Sequence, residues 1–141
     1  MPVDIWVFLE KNLFLAVVCV VSLGMLLWPL IQGAATGAKN VSVQQAVQLI
    51  NRRDAVLLDV RDAAEYAAGH LPNSRHIPIG EMDKRLKELD KFKQRPVVVI
   101  CRSGNRAASA CAVLKKNGFA EAFALKGGVL GWQQANMPIE K

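Results

Sequence analysis

Apolar positions are spread very unevenly along the chain. No charged residue occurs between Asn12 and Ala38, and Leu13 to Ile31 reads LFLAVVCVVSLGMLLWPLI, 19 residues with only Ser22 polar. As a helix at about 1.5 Å per residue, that run reaches roughly 28 Å, close to the hydrocarbon thickness of a bilayer. The pattern predicts a tail over 1–11, a transmembrane helix over 12–32, and a small, flexible linker over 33–40 (GAATGAKN). After residue 40 the apolar runs become short and alternate with polar helical patterns. Ser42 and Gln45 are spaced as a capping box ahead of a helix. Ala55–Val60 and Pro96–Cys101 read as buried strands, with shorter strands expected over 75–77 and 122–125. Helical spacing covers 63–68, 81–92, 105–116 and 128–135, with stops at Gly69 and at Asn117-Gly118. Strands alternating with helices predict an α/β domain over 41–141, a parallel sheet covered by helices on both faces.

A cleaved secretory signal is the rival reading of the N-terminus, since Thr36-Gly37-Ala38 offers small residues for cleavage. The apolar run is longer than a signal core, and Asp4 and Glu10 accompany the lone Lys11 before it, so an anchor is expected. Trp6 and Trp28 flank the span as interface residues do. Lys39, Arg52 and Arg53 follow it, which favours a cytoplasmic position for the domain.

Composition adds constraints. Residues 39–141 carry 17 Lys and Arg against 10 Asp and Glu. The basic stretch from Lys84 to Arg95 is interrupted by Asp83, Glu88 and Asp90 and reads as a solvated face. No aromatic-plus-basic stacking pattern accompanies the charge, which argues against nucleic acid. Three cysteines, Cys19, Cys101 and Cys111, make no disulfide framework and suit a reducing compartment. Cys111 is expected to be a buried packing residue.

Cys101 stands at the end of the strongest strand, where ligands sit in open parallel sheets. A cysteine nucleophile reacts as its thiolate, which a helix N-terminus and neighbouring cations favour. Arg102 and Arg106 bracket the position, Gly104 lets the backbone curl inward, and a helix starts near Asn105. Cys101, Arg102, Ser103, Gly104, Asn105 and Arg106 thus form a candidate cradle for one anionic sulfur or a small oxyanion.

This loop resembles the active-site loop of single-domain rhodaneses. Leu58-Asp-Val-Arg61, with Glu65-Tyr66, Gly69-His-Leu-Pro72 and Ile77-Pro78, resembles the N-terminal motif of that family, and Lys126-Gly-Gly-Val-Leu-Gly-Trp132 its closing motif. With the anchor, the chain is similar to membrane-anchored rhodaneses of the YibN type. The resemblance implies sulfur transfer: Cys101 takes sulfane sulfur from thiosulfate or a similar donor and passes it to a thiol acceptor. It also implies a single-pass protein of the bacterial inner membrane, in contact with the lipid bilayer and open to an inner-membrane protein complex. Asp59, Arg61, Glu65 and His70 are expected to brace the loops framing the site. His70 lacks partners at metal-ligand spacing, so neither metal nor cofactor is expected. Cysteine phosphatases share a similar loop with five residues between Cys and Arg, and here there are four, a cradle better suited to sulfur than to phosphate. Ala107 departs from the family pattern, where many relatives carry Ser. The alternative reading is a membrane-tethered binding module that keeps the fold.

Overall fold

The computed structural model describes residues 4–36 and 38–141, which form two compact units. The first contains helices α1 (Ile5–Lys11) and α2 (Leu13–Thr36). Asn12 separates them: its backbone N–H and its side-chain amide both donate to the carbonyl of Phe8, ending α1. Most of the expected tail is therefore helical, and its residues 1–3 lie outside the described residues. Within α2, Leu13–Ile31 is long and apolar enough to cross a membrane. Pro29 sits inside the helix.

The second unit is the α/β domain. Its elements, in chain order, are β1 (Lys39–Val41), α3 (Val43–Arg53), β2 (Val56–Asp59), α4 (Ala63–Ala68), β3 (Arg75–His76), α5 (Met82–Arg85), β4 (Val97–Ile100), α6 (Asn105–Lys116), β5 (Ala122–Leu125) and α7 (Gly128–Gln134). The expected linker is mostly regular structure: α2 runs to Thr36 and β1 begins at Lys39, while Gly37 lies outside the described residues. The capping box is present, with Ser42 Oγ accepting from Gln45 N and Gln45 Oε1 accepting from Ser42 N.

The helix expected over 81–92 differs. Only α5 is α-helical there, and Ile79–Glu81 and Leu86–Phe92 are 3₁₀ turns. Leu86, Leu89 and Phe92 recur every third residue, the repeat of a 3₁₀ helix, and the last two are buried.

All strands are parallel, in the order β1-β5-β4-β2-β3. Alternating side chains feed two cores. Val56, Leu58, Val97 and Val99 pack with Met82, Leu89, Ala110 and Leu114 on one face. Leu57, Val98, Ile100 and Leu125 pack with Ala46, Val129 and Trp132 on the other. Each fully buried Leu or Val contributes about 1.5–3 kcal/mol, so the central strands β2 and β4 are held from both sides.

The chain leaves β2 toward β3 on one side and leaves β4 toward β5 on the other. The C-terminal ends of β2 and β4 therefore flank the topological switch point, where open parallel sheets form a crevice. Arg61 follows β2 and Cys101 follows β4.

Candidate active site

Cys101 follows β4 directly and is 1% exposed. The chain then turns sharply. Gly104, at φ +109°, is the N-cap of α6, a conformation that costs an L-residue about 1–2 kcal/mol. The turn brings the Gly104 N–H to 2.8 Å from Cys101 Sγ. An unsatisfied N–H at the start of a 12-residue helix thus points at the sulfur, where it stabilises negative charge. Arg102, Ser103 and Asn105 are exposed on the loop, and Arg106 is half-buried.

The back of the loop is clamped by α7. Val129 N donates to the Cys101 carbonyl at 2.9 Å and Leu130 N to the Arg102 carbonyl at 3.4 Å. This approach depends on Gly128. A Cβ there would stand 2.2 Å from the Cys101 carbonyl oxygen and 2.6 Å from the Arg102 carbonyl carbon.

Of the four residues expected to brace the loops, Asp59, Arg61 and Glu65 are joined by hydrogen bonds to the chain around the two strand ends. Arg61 Nε and Nη2 grip the Asp59 carboxylate at 2.8–3.0 Å, and Nη2 also donates to the Gly69 carbonyl at 2.7 Å. Both residues are buried. Glu65 accepts two bonds of 3.0 Å from Arg106 and one from its own N-cap, Asp62 N. The Arg106 hydrogen bonds hold the Glu65 carboxyl below its ordinary range against the opposing effect of burial, and the same pairing raises Arg106. Arg106 therefore does not flank Cys101 as a free cation; Glu65 shares its charge. His70 lies apart from this group. Its ring stacks on Tyr66 at 4.0 Å, and its backbone bridges to Glu140.

A recess of about 210 Å³ opens beside the loop, lined by Arg61, Glu65, Gly69, Arg102, Leu130 and Gln133 among others. Arg102 makes no ion pair among the described residues and is the available cation at this mouth. Leu130 and Gln133 were not expected here. They reach the recess through the orientation of α7, which the Gly127-Gly128 turn sets, and no local periodicity carries that information. Cys111 is fully buried on α6, and burial pushes its thiol up to about 12, the state of an inert packing residue. Ala107 is likewise fully buried.

The arrangement offers a sulfur atom under a helix N-terminus, backed by clamped carbonyls and beside a partly cationic recess. Known proteins are similar to this chain. The chain is 31% identical over 137 residues to YibN of Escherichia coli K12, covering 96% of each chain. It is 34% identical over 100 residues to the thiosulfate sulfurtransferase GlpE of Actinobacillus pleuropneumoniae serotype 3, covering 71% of this chain and 91% of that one. A rhodanese-related protein from Thermoplasma volcanium superposes with a TM-score of 0.62 at 25% identity, covering 72% of this chain and 97% of that one. These likenesses support an activity of the sulfur-transfer type. The sequence pattern of the rhodanese-like domain matches residues 42–135, and the chain belongs to that family.

Proposed function

We propose that the protein is a sulfurtransferase that carries sulfane sulfur on Cys101. The observation that carries this reading is the 2.8 Å approach of the Gly104 N–H to Cys101 Sγ at the N-terminus of α6. The Cys101 thiolate attacks the outer sulfur of thiosulfate. A new S–S bond forms, the old one breaks, and sulfite leaves with the bonding electrons. The loop N–H then stabilises the terminal sulfur of the persulfide. The thiolate of an acceptor attacks that sulfur and releases the Cys101 thiolate. This is covalent catalysis by an activated nucleophile. Arg102 at the mouth attracts the anionic donor, and Arg106, held by Glu65, fixes the loop.

Mass spectrometry after thiosulfate treatment should find one added sulfur, on Cys101. Cys101→Ser should abolish transfer to cyanide or a thiol, by three orders of magnitude or more. Transfer surviving in Cys101→Ser rules the assignment out. The four-residue gap before Arg106 supports sulfur over phosphate, so efficient hydrolysis of an aryl phosphate would count against the reading.

The Leu13–Ile31 helix tethers the domain to a bilayer in this reading, with the domain in the cytoplasm. The basic residues Lys39, Arg52 and Arg53 support that orientation, as does the need of a persulfide carrier for reduced surroundings. Protease added to intact spheroplasts should leave the domain whole and digest it only after lysis. Digestion before lysis reverses the topology.

A further inference from the structure

A second concavity, of about 540 Å³, lies away from Cys101 and shares no lining residue with the recess beside it. It follows the outer edge of β2. The two residues of β3 pair only with Leu58 and Asp59, so Val56 and Leu57 have no strand neighbour on that side. The floor is apolar, with Leu57 and Trp132 beneath partly buried Val47, Ile50 and Met137.

The rim is cationic. Arg75 and Arg95, both in the lining, lie over the Phe92 ring at 4.5 Å and 5.2 Å from its centre, and Lys91, just outside the lining, at 5.1 Å. None of the three forms an ion pair among the described residues. Arg95 is pinned by two bonds from its guanidinium to the Asp54 carbonyl. Glu88, which feels the field of Arg75, is already taken by Arg85 at 2.8 Å. Asp54 is the single carboxylate in the lining.

We infer that this groove docks an extended, acidic segment of a partner protein along the free edge of β2. Alternate side chains of an extended chain point to opposite sides. One set fills the apolar floor while the other offers carboxylates to Arg75 and Arg95 in the lining and to Lys91 beside it. A flat anionic membrane cannot reach a recessed apolar floor. Nucleic acid would need open aromatic faces for stacking, and Phe92 and Trp132 are both buried.

The test uses the full chain in neutral detergent micelles and a dye-labelled octapeptide of alternating Leu and Glu, with empty micelles as the blank. Fluorescence anisotropy should show saturable binding at least tenfold tighter than for the Leu–Lys counterpart. Arg75→Glu should weaken it at least fivefold and Met137→Ser about threefold, with Arg75→Lys restoring most of the loss. Circular dichroism identifies any variant that fails to fold, and Lys91→Glu, fully on the surface, then takes its place. Binding indifferent to these substitutions overturns the proposal. So does equal competition by a single-stranded oligonucleotide or by anionic phospholipid vesicles. No sulfur transfer is measured, so the outcome is independent of the role of Cys101.

Discussion

Two arginine–carboxylate pairs stand behind the Cys101 loop, and they occupy opposite surroundings. In Arg61–Asp59 the side chains are 6% and 0% exposed; in Arg106–Glu65 they are 34% and 29% exposed. The buried pair carries a large desolvation cost, offset by the hydrogen bonds that both carboxylate oxygens accept. Asp59 accepts from both the backbone and the guanidinium of Arg61, and Arg61 Nη2 also donates to the Gly69 carbonyl. Such a unit has no slack and forms a rigid floor under the switch point. The outer pair is screened by water and joins α4 to the loop across 41 residues of sequence. It can loosen without leaving a charge stranded. The site therefore has a fixed floor and an adjustable rim, although both are built from the same two chemical groups.

Breaking the floor should produce the largest effect. Arg61→Ala leaves the Asp59 charge buried and unpaired, at a cost of about 3–5 kcal/mol. For a domain of this size, about 4–8 °C of melting temperature goes with each kcal/mol, so calorimetry should register a fall of more than about 12 °C. Replacing both partners with apolar residues of similar volume, Asp59→Leu with Arg61→Met, should recover much of it. A melting temperature for Arg61→Ala close to that of the wild type would mean that the pair is not a floor at all.

The contact between α7 and the loop belongs to the same rigid floor. Gly128→Ala forces a methyl group into the Cys101 and Arg102 carbonyls at 2.2–2.6 Å, an overpacking cost of about 1–3 kcal/mol. It should also reduce sulfur transfer at least tenfold by displacing the loop. Gly104→Ala meets nothing closer than 3.7 Å and bears only the positive-φ strain of about 1–2 kcal/mol. Measured side by side, Gly128→Ala should be the worse in activity. The reverse order would place the constraint in the turn rather than in the clamp.

The floor was more legible in the sequence than the rim. Val97–Ile100 and residues 56–58 are continuous apolar runs with polar or turn residues beyond them, so strand ends, and with them Cys101 and Arg61, could be placed from local pattern alone. α6 was bounded by Gly104 and by Asn117-Gly118 for similar local reasons. β1 gave no such signal because Lys39 and Asn40 are exposed and polar, and only pairing with β5 makes them a strand. Arg106 was expected to bracket Cys101 as one of two neighbouring cations. Its engagement by Glu65 is a long-range event that spacing within the loop cannot reveal. His70 lies within the motif from Gly69 to Pro72, yet it stacks on Tyr66 and pairs with Glu140 rather than joining Asp59, Arg61 and Glu65. In each case the misplaced feature depends on tertiary contact rather than on local periodicity.

The smallest effect concerns the rim. Glu65→Gln removes the charge of the outer pair but keeps a side chain able to accept from Asp62 N and from one arm of Arg106. Exposed pairs contribute about 0.2–1 kcal/mol, so the loss at neutral pH should fall in that range, about 1–8 °C by the same conversion. The pH dependence separates this from simple loss of packing. The Glu65 carboxyl is held below its ordinary value of 4.5 chiefly by Arg106. A depressed folded value stabilises the protein above the unfolded value, and that stability is lost as pH falls through the folded one. The melting temperatures of wild type and Glu65→Gln should therefore differ at pH 7, draw together as pH falls below the ordinary 4.5, and meet only below the depressed folded value, where Glu65 is protonated in both folded and unfolded chains. Arg61→Ala, by contrast, should remain far below both at pH 7. A Glu65→Gln gap that stays constant from pH 7 to pH 3 would show that the outer pair contributes no charge–charge stabilisation. The carboxylate would then act only as the cap of α4, and the rim would be as fixed as the floor.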